Sequence, residues 1–340
     1  MTQTKRRDSN FELLRIVAMV LVMLVHVNYA ALGGVTHEEL LATPWTGFVR
    51  ILCEQLCIIC VNLFILLSGW FGIRPTLGKL ASLLFQVLFI GIVVAQACRL
   101  CGFEVESQSF LNLLHFGSSY WFVPSYIILF CIAPVLNSFC EHASKRDYLW
   151  VLVAFFAAQT IFGWVSGDSG NFHSGYSAMS FVGLYLLARY VRLHGEKLRN
   201  LAWWKYLAGY LLFTAIPVAT SFVGHLYLKR ELGAISYASP FVIAASLSFF
   251  LMFYKFHFES KIVNWLSVSA FAIYLVHQAP GGMELYYGFF DERYHTMSGW
   301  LFIPFAIGVA LAVGLASILL DKVRIALWNT ILKAKSQLIK

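Results

Sequence analysis

Charge is scarce in this chain. Only 12% of its 340 residues are Asp, Glu, Lys or Arg, about half the ~25% of a soluble domain, which excludes an ordinary soluble globular fold. The sequence also lacks a long polar linker, a low-complexity tract and any detectable internal repeat. No room is left for a separate soluble catalytic domain, so any chemistry belongs to the apolar segments or their short loops. The seven cysteines do not form the framework of a small secreted domain. Cys53, Cys57 and Cys60 fall at i, i+4, i+7 of one apolar run, and Cys98-x-x-Cys101 ends the next; both sets read as small, polarizable packing residues rather than metal ligands. No metal is expected.

What is present is apolar. The hydrophobic share is 59% and the mean hydropathy is +0.72. Continuous, non-alternating runs of about 20 residues predict an all-α, polytopic membrane helix bundle rather than a barrel. About ten transmembrane helices are expected, near 11–30, 48–71, 79–101, 120–140, 148–166, 176–194, 203–223, 237–256, 262–279 and 298–320. With both termini cytoplasmic, 19 of the 25 Lys and Arg residues fall on inner segments and 5 on outer ones, Arg15 being the remaining one. That asymmetry obeys the positive-inside rule. The chain therefore reads as one transmembrane domain over 1–340, with basic tails at about 1–10 and 321–340. The net charge is +8, but its placement matters more than its sum; a lipid bilayer is the expected partner and no nucleic acid is expected. The triplet Lys5-Arg6-Arg7 before an apolar core resembles a secretory signal, but Glu12, Arg15 and His26 interrupt that core, so a retained helix is expected.

Arg15 and His26 are the ionisable residues of the first span. Charged groups at a helix centre are expensive, roughly 3 kcal/mol for Arg on insertion scales. Eleven positions apart, the two return to within about 20° of one face, separated by ~16 Å along the axis. Glu12, three residues before Arg15, can pair with it; an interfacial, snorkelling Arg is the plainer alternative. His26 is too deep to snorkel, and imidazole is the side chain suited to proton transfer near neutral pH. Asn62 is a polar break in the second span, and Ser68-Gly69 near its end are small enough for close helix approach. His277 falls at the outer end of the ninth span, where solvation at the interface is expected.

Four segments in order carry a resemblance: Glu12, Leu14-Arg15 and His26 in the first span; VNLFILLSGWF at 61–71; YWFVPSY at 120–126 with Pro134 after it; and SAFAIYLVH at 269–277. Together they resemble the acyltransferase-3 family of integral-membrane O-acyltransferases, over nearly the whole chain. Ala270 and Ala272 stand where that family often has small hydroxyl residues before its late Tyr.

The resemblance implies transfer of an acyl group, usually acetyl, from acyl-CoA to a hydroxyl of a cell-surface polysaccharide or its lipid-linked precursor, in a bacterial inner membrane. It implies His26 as the catalytic base, or alternatively as a residue acylated in turn. Arg15 with Glu12, Arg74 and Lys79 are expected at the donor, with Lys145, Arg146 and the 189–199 cluster as further cations. Asn62, Ser68, Trp121, Tyr126, Tyr274 and His277 are expected as supporting residues, the first two and Tyr126 as oxyanion donors. Because sugars stack on aromatic faces, Trp45, Tyr286, Tyr287 and Tyr294 are acceptor-side candidates, an interfacial aromatic belt being the plainer alternative for each. The rival reading is a transporter of a small or sugar-like solute, because polar residues in broken helices also mark solute paths.

Overall fold

The computed structural model describes residues 8–105, 120–166, 169–229, 236–297 and 299–338. Lys5, Arg6 and Arg7 of the sequence analysis lie outside them. Every regular element among the described residues is helical.

In chain order these are α1 (Ser9–Val25), α2 (His37–Ala42), α3 (Pro44–Cys57), α4 (Cys60–Phe71), α5 (Leu77–Leu100), α6 (Phe122–His142), α7 (Lys145–Thr160) and α8 (Ala178–His194). They continue with α9 (Glu196–Arg199), α10 (Trp203–Leu228), α11 (Pro240–Lys255), α12 (Lys261–Ser267), α13 (Phe271–His277), α14 (Gly282–Thr296) and α15 (Gly299–Leu338). Local chemistry sets many of the starts. Thr36, Thr76, Ser144, Ser177 and Ser260 accept a hydrogen bond from a backbone N–H of the first turn, and Pro44 and Pro240 begin α3 and α11, where a missing N–H costs nothing.

Among the described residues, seven helical stretches are long and apolar enough to cross a membrane: Ser9–Ala31, Pro44–Phe71, Leu77–Leu100, Phe122–His142, Lys145–Val165, Trp203–Leu228 and Trp300–Gln337. The other three predicted spans are occupied by shorter helices: α8 has 17 residues, α11 has 16, and α12 and α13 have 7 each. At ~1.5 Å per residue, α11 is about 24 Å long, short of a ~30 Å hydrocarbon core.

Several expectations change. The second span starts earlier, at Pro44, and breaks at Ile58-Ile59, so Cys53 and Cys57 sit on a different helix from Cys60. The predicted outer loop 280–297 is mostly α14: its near-neutral composition reads as a loop, yet Tyr286 and Phe290 bury one side of it at i, i+4 spacing. The predicted tail from 321 onward continues α15 to Leu338. No breaker follows Leu320, and Asp321, fully buried, is satisfied by Arg324 (2.9 and 3.0 Å) and by Gln86 Nε2 (2.9 Å).

α1 lies at the centre of the bundle. It packs against α3, α4, α11, α12, α13 and α15, which is why an apolar helix with Glu12 and Arg15 in it and His26 just beyond its end is held against protein on many sides. Beyond Val25 it continues as a π-helical turn, His26–Ala31. Such turns recur at functional sites because they re-aim side chains. This one is clamped by the outer network of α3: Asn28 Nδ2 donates to Glu54 (2.7 Å), Arg50 Nε to Asn28 Oδ1 (3.1 Å), and Arg50 Nη1 to both Glu39 oxygens (2.7 and 2.6 Å).

Candidate functional site

Arg15, Met19, Val22 and His26 follow one another at i, i+4, i+7, i+11, a single stripe on α1. Met19, Val22 and His26 line a cleft completed by Val61 and Phe64 of α4, Trp121 and Phe122 at the start of α6, Tyr237, and Phe271 and Tyr274 of α13. The cleft is narrow and partly open to solvent, and its walls are largely apolar or aromatic. His26 is partly exposed, and that exposure faces the cleft.

The partner of His26 is His277. His26 Nδ1 lies 2.8 Å from His277 Nε2, and His277 Nδ1 lies 2.6 Å from the Ile273 carbonyl. His277 is 2% exposed. This corrects the expectation of a solvated interfacial histidine: α13 is short, and α14 and the π-turn of α1 cover its end. The carbonyl decides the tautomers. An oxygen accepts only, so His277 Nδ1 carries the proton and its Nε2 is a lone pair. The 2.8 Å contact then requires His26 to donate from Nδ1, which leaves the lone pair of the neutral ring on Nε2. The second histidine thereby fixes both the orientation and the reactive nitrogen of the first.

Gln278 completes the group. Its side-chain amide is 3.1 Å from His26 Nδ1 and 2.7 Å from the Tyr287 hydroxyl. It is the amide Nε2 that lies at both contacts, and it donates to the Tyr287 hydroxyl. Burial raises the Tyr287 phenol above its ordinary value, so its hydroxyl keeps its proton. Tyr286 is buried with its hydroxyl directed to the Met23 carbonyl; Tyr294, partly exposed, donates to Glu39 (3.0 Å) and has the Arg50 guanidinium 5.3 Å from its ring centre. Trp45 is 75% exposed, remote in character from the cleft.

At the other end of the stripe Arg15 pairs with Glu12 at 2.5 Å, and the same Glu12 oxygen accepts from Ser267 (2.6 Å). The pair thus ties α1 to α12. Tyr126 is hydrogen-bonded to Ser68 and feels the charge of Arg15, so these three predicted residues meet below the cleft. Ser68 also donates to the Phe64 carbonyl (2.9 Å). Trp121 and Tyr274 line the cleft itself. Asn62 is buried beside it: its Nδ2 donates to the Tyr237 carbonyl (3.2 Å), while its Oδ1 has no partner. Arg74 and Lys79 stand apart on an exposed turn, where the Lys79 ammonium is used by the Arg74 carbonyl (2.7 Å).

Three members escaped sequence reasoning: Gln278, Tyr237 and the Ile273 carbonyl. Gln278 carried a signal, a polar residue directly after a histidine in an apolar segment. A tyrosine in a loop and a backbone oxygen carry none.

No curated protein and no solved structure matches this chain. A family model described as an acyltransferase domain matches residues 8–319, nearly the whole length. The late histidine motif, the Ser-Gly-aromatic segment and the first-helix Arg and His all fall within that match, and the chain belongs to the acyltransferase-3 family.

Proposed function

We propose that this membrane acyltransferase moves an acetyl group from acetyl-CoA to a hydroxyl of a cell-surface glycan or lipid-linked sugar, with His26 as the general base. The observation that carries the reading is the 2.8 Å contact of His26 with His277 at the head of an apolar cleft. An oriented imidazole with a free Nε2 suits proton abstraction from an alcohol, a role worth typically 10²–10⁴-fold in rate.

The acceptor hydroxyl gives its proton to His26 Nε2 as its oxygen attacks the thioester carbonyl. The tetrahedral intermediate collapses, the C–S bond breaks, and the departing CoA sulfur takes the proton back. His26 is charged only in transit, and His277 Nε2 accepts its Nδ1–H throughout. An apolar cleft suits the slim thioester arm and excludes water, which would otherwise compete as acceptor. Of the three expected oxyanion donors, Ser68 and Tyr126 meet Arg15 at the far end of the stripe, and the Asn62 amide donates to the Tyr237 carbonyl. Broken helices such as α3–α4 and α12–α13 also suit a transporter; membership of an acyltransferase family favours the enzyme. The setting that fits is a bacterial inner membrane, where a cytosolic donor and an envelope glycan are both within reach.

The test is transfer from labelled acetyl-CoA to envelope glycans by the purified protein. His26→Ala is expected to abolish it while the protein remains monodisperse in detergent. Wild-type rates in that variant would overturn the assignment.

A further inference from the structure

The end of α5 far from Lys79 carries two thiols that the proposed mechanism does not use. Cys98 lies in its last turn and Cys101 follows it, both as free cysteines. Spacing alone reads them as packing residues, but the backbone here adds to it. The Cys101 N–H donates to the Cys98 carbonyl at 3.1 Å and the Gly102 N–H to the Arg99 carbonyl at 3.0 Å. Both bonds span three residues, so the helix end is wound toward 3₁₀ geometry, in which side chains at i and i+3 eclipse. A turn closed in this way holds its end Cα atoms within about 7 Å, the range in which a disulfide closes. Beyond it Gly102 has φ 87°, and a Cβ there would meet nothing within 4 Å, so the turn has open space in which to tighten.

The two sulfurs differ in access. Cys101 is exposed and Cys98 is 6% exposed, the arrangement of an entry thiol beside a resolving one. By the charge asymmetry, α5 starts inside, next to Arg74 and Lys79, and ends on the outer side, where disulfides persist.

Cys98 also supports the site. A Cβ added to Gly281 would lie 2.9 Å from Cys98 Cβ, 3.1 Å from its Sγ and 2.8 Å from Val105 Cγ2, and Gly281 has φ 78°. Only glycine fits that turn. It leads from α13 into α14, three residues after Gln278, whose amide contacts His26 and Tyr287. Arg99 holds Val105 in place, its guanidinium donating twice to the Val105 carbonyl (3.2 and 2.6 Å). The turn that carries Gln278 thus rests on the end of α5.

We propose that Cys98 and Cys101 form a disulfide on the outer side of the membrane, and that it braces the 278–282 turn beside His26. The step is exchange with an oxidised dithiol oxidoreductase of that compartment. The Cys101 sulfur attacks the oxidant's disulfide, whose S–S bond breaks to give a mixed disulfide. The Cys98 sulfur then attacks Cys101, the internal S–S bond forms, and the oxidant leaves as a dithiol carrying the two protons and two electrons given up by the cysteines. Formation of the bond is independent of the acyl-transfer reading; only its effect on transfer rests on that reading.

The full-length protein in its membranes is quenched in acid, alkylated without reductant, digested and weighed by mass spectrometry. The peptide holding both cysteines is expected to be unalkylated and two hydrogens lighter than the dithiol, and to take two alkyl groups after reduction. Cys101→Ser is expected to leave Cys98 open to alkylation and to lower the melting temperature by a few degrees, as reduction of the wild type does. Transfer is expected to be lost in part in both, and to return on reoxidation only in the wild type. Alkylation of both cysteines in unreduced membranes overturns the proposal. So does a reduced Cys101 that an impermeant maleimide labels only after spheroplasts are lysed, because the thiols would then face a reducing cytosol. A linked pair whose reduction changes neither melting nor transfer overturns the bracing role.

Discussion

His26 Nδ1 and His277 Nε2 meet at 2.8 Å although 251 positions separate them in sequence. The contact joins the π-helical turn that ends the first span to the last residue of α13, and the Ile273 carbonyl behind it sets the direction of every proton in the chain. In the proposed mechanism His277 is a positioning residue: it never reaches the acyl group and acts through His26.

His277→Leu removes the acceptor for the His26 Nδ1–H and leaves a buried donor unpaired, a loss of ~1–3 kcal/mol. At 1.36 kcal/mol per tenfold in rate, kcat is expected to fall about tenfold to a hundredfold with KM for acetyl-CoA little changed. His277→Gln restores an acceptor oxygen and is expected to recover part of the loss. Steady-state kinetics and pH–rate profiles of both variants check this; a merely packing role predicts equal damage from both and an unshifted profile.

This pair also shows where the sequence stops being legible. Arg15 and His26 stand out because each interrupts an apolar run, and helical spacing puts both on one stripe. The Arg15–Glu12 pair follows from their three-residue separation and is present at 2.5 Å. The partner of His26 is a tertiary fact: nothing local to residues 271–277 says that their end is covered. The breaks at 58–59 and 268–270 hide for a related reason, since Ile58-Ile59 and Val268-Ser269-Ala270 carry neither Pro nor Gly and leave hydropathy continuous. Averaged hydropathy likewise conceals α14, whose buried Tyr286 and Phe290 are diluted by Glu284, Asp291, Glu292 and Arg293 on its other sides.

Gly69 tests the helix packing beneath the cleft. A Cβ there would sit 2.5 Å from the Tyr185 carbonyl oxygen and 2.9 Å from Ala188 Cβ, backbone and a short side chain that have no room to yield. Gly69→Ala is expected to cost ~1–3 kcal/mol through forced separation of α4 and α8, read as a lower melting temperature in detergent. The adjacent Ser68→Ala loses the hydroxyl's bonds to the Phe64 carbonyl of its own helix and to Tyr126 without any steric cost, and is expected to melt closer to wild type than Gly69→Ala. Equal melting of Gly69→Ala and wild type would remove the close-approach account.

Arg50 anchors the outer clamp on the π-turn. It is 7% exposed and donates to both Glu39 oxygens, to Asn28 Oδ1 and the Asn28 carbonyl, and to the Gly33 carbonyl. Arg50→Ala strands a partly buried carboxylate and several acceptors at once, and breaking a buried pair from one side typically costs ~3–5 kcal/mol. Since Asn28 belongs to the same turn as His26, activity at low temperature is expected to fall with stability. Thermal melting and residual transfer rate, measured on the same preparation, check both halves.

Val22 lies one turn before His26 on the cleft wall and is 5% exposed. Val22→Phe places a ring in the space proposed for the thioester. Overpacking a buried position costs ~1–3 kcal/mol, so a somewhat lower melting temperature is expected beside the effect on transfer. The catalytic histidines are untouched, so the cost should appear at the donor: kcat/KM for acetyl-CoA falling at least tenfold, and bulkier acyl-CoA donors losing more than acetyl. The mirror change, Met19→Ala, enlarges the cleft one turn nearer Arg15 and is expected to improve longer acyl chains relative to acetyl. If Val22→Phe transfers acetyl at the wild-type rate, the thioester reaches His26 by another route, and the shared stripe of Arg15 and His26 on α1 has no part in guiding it.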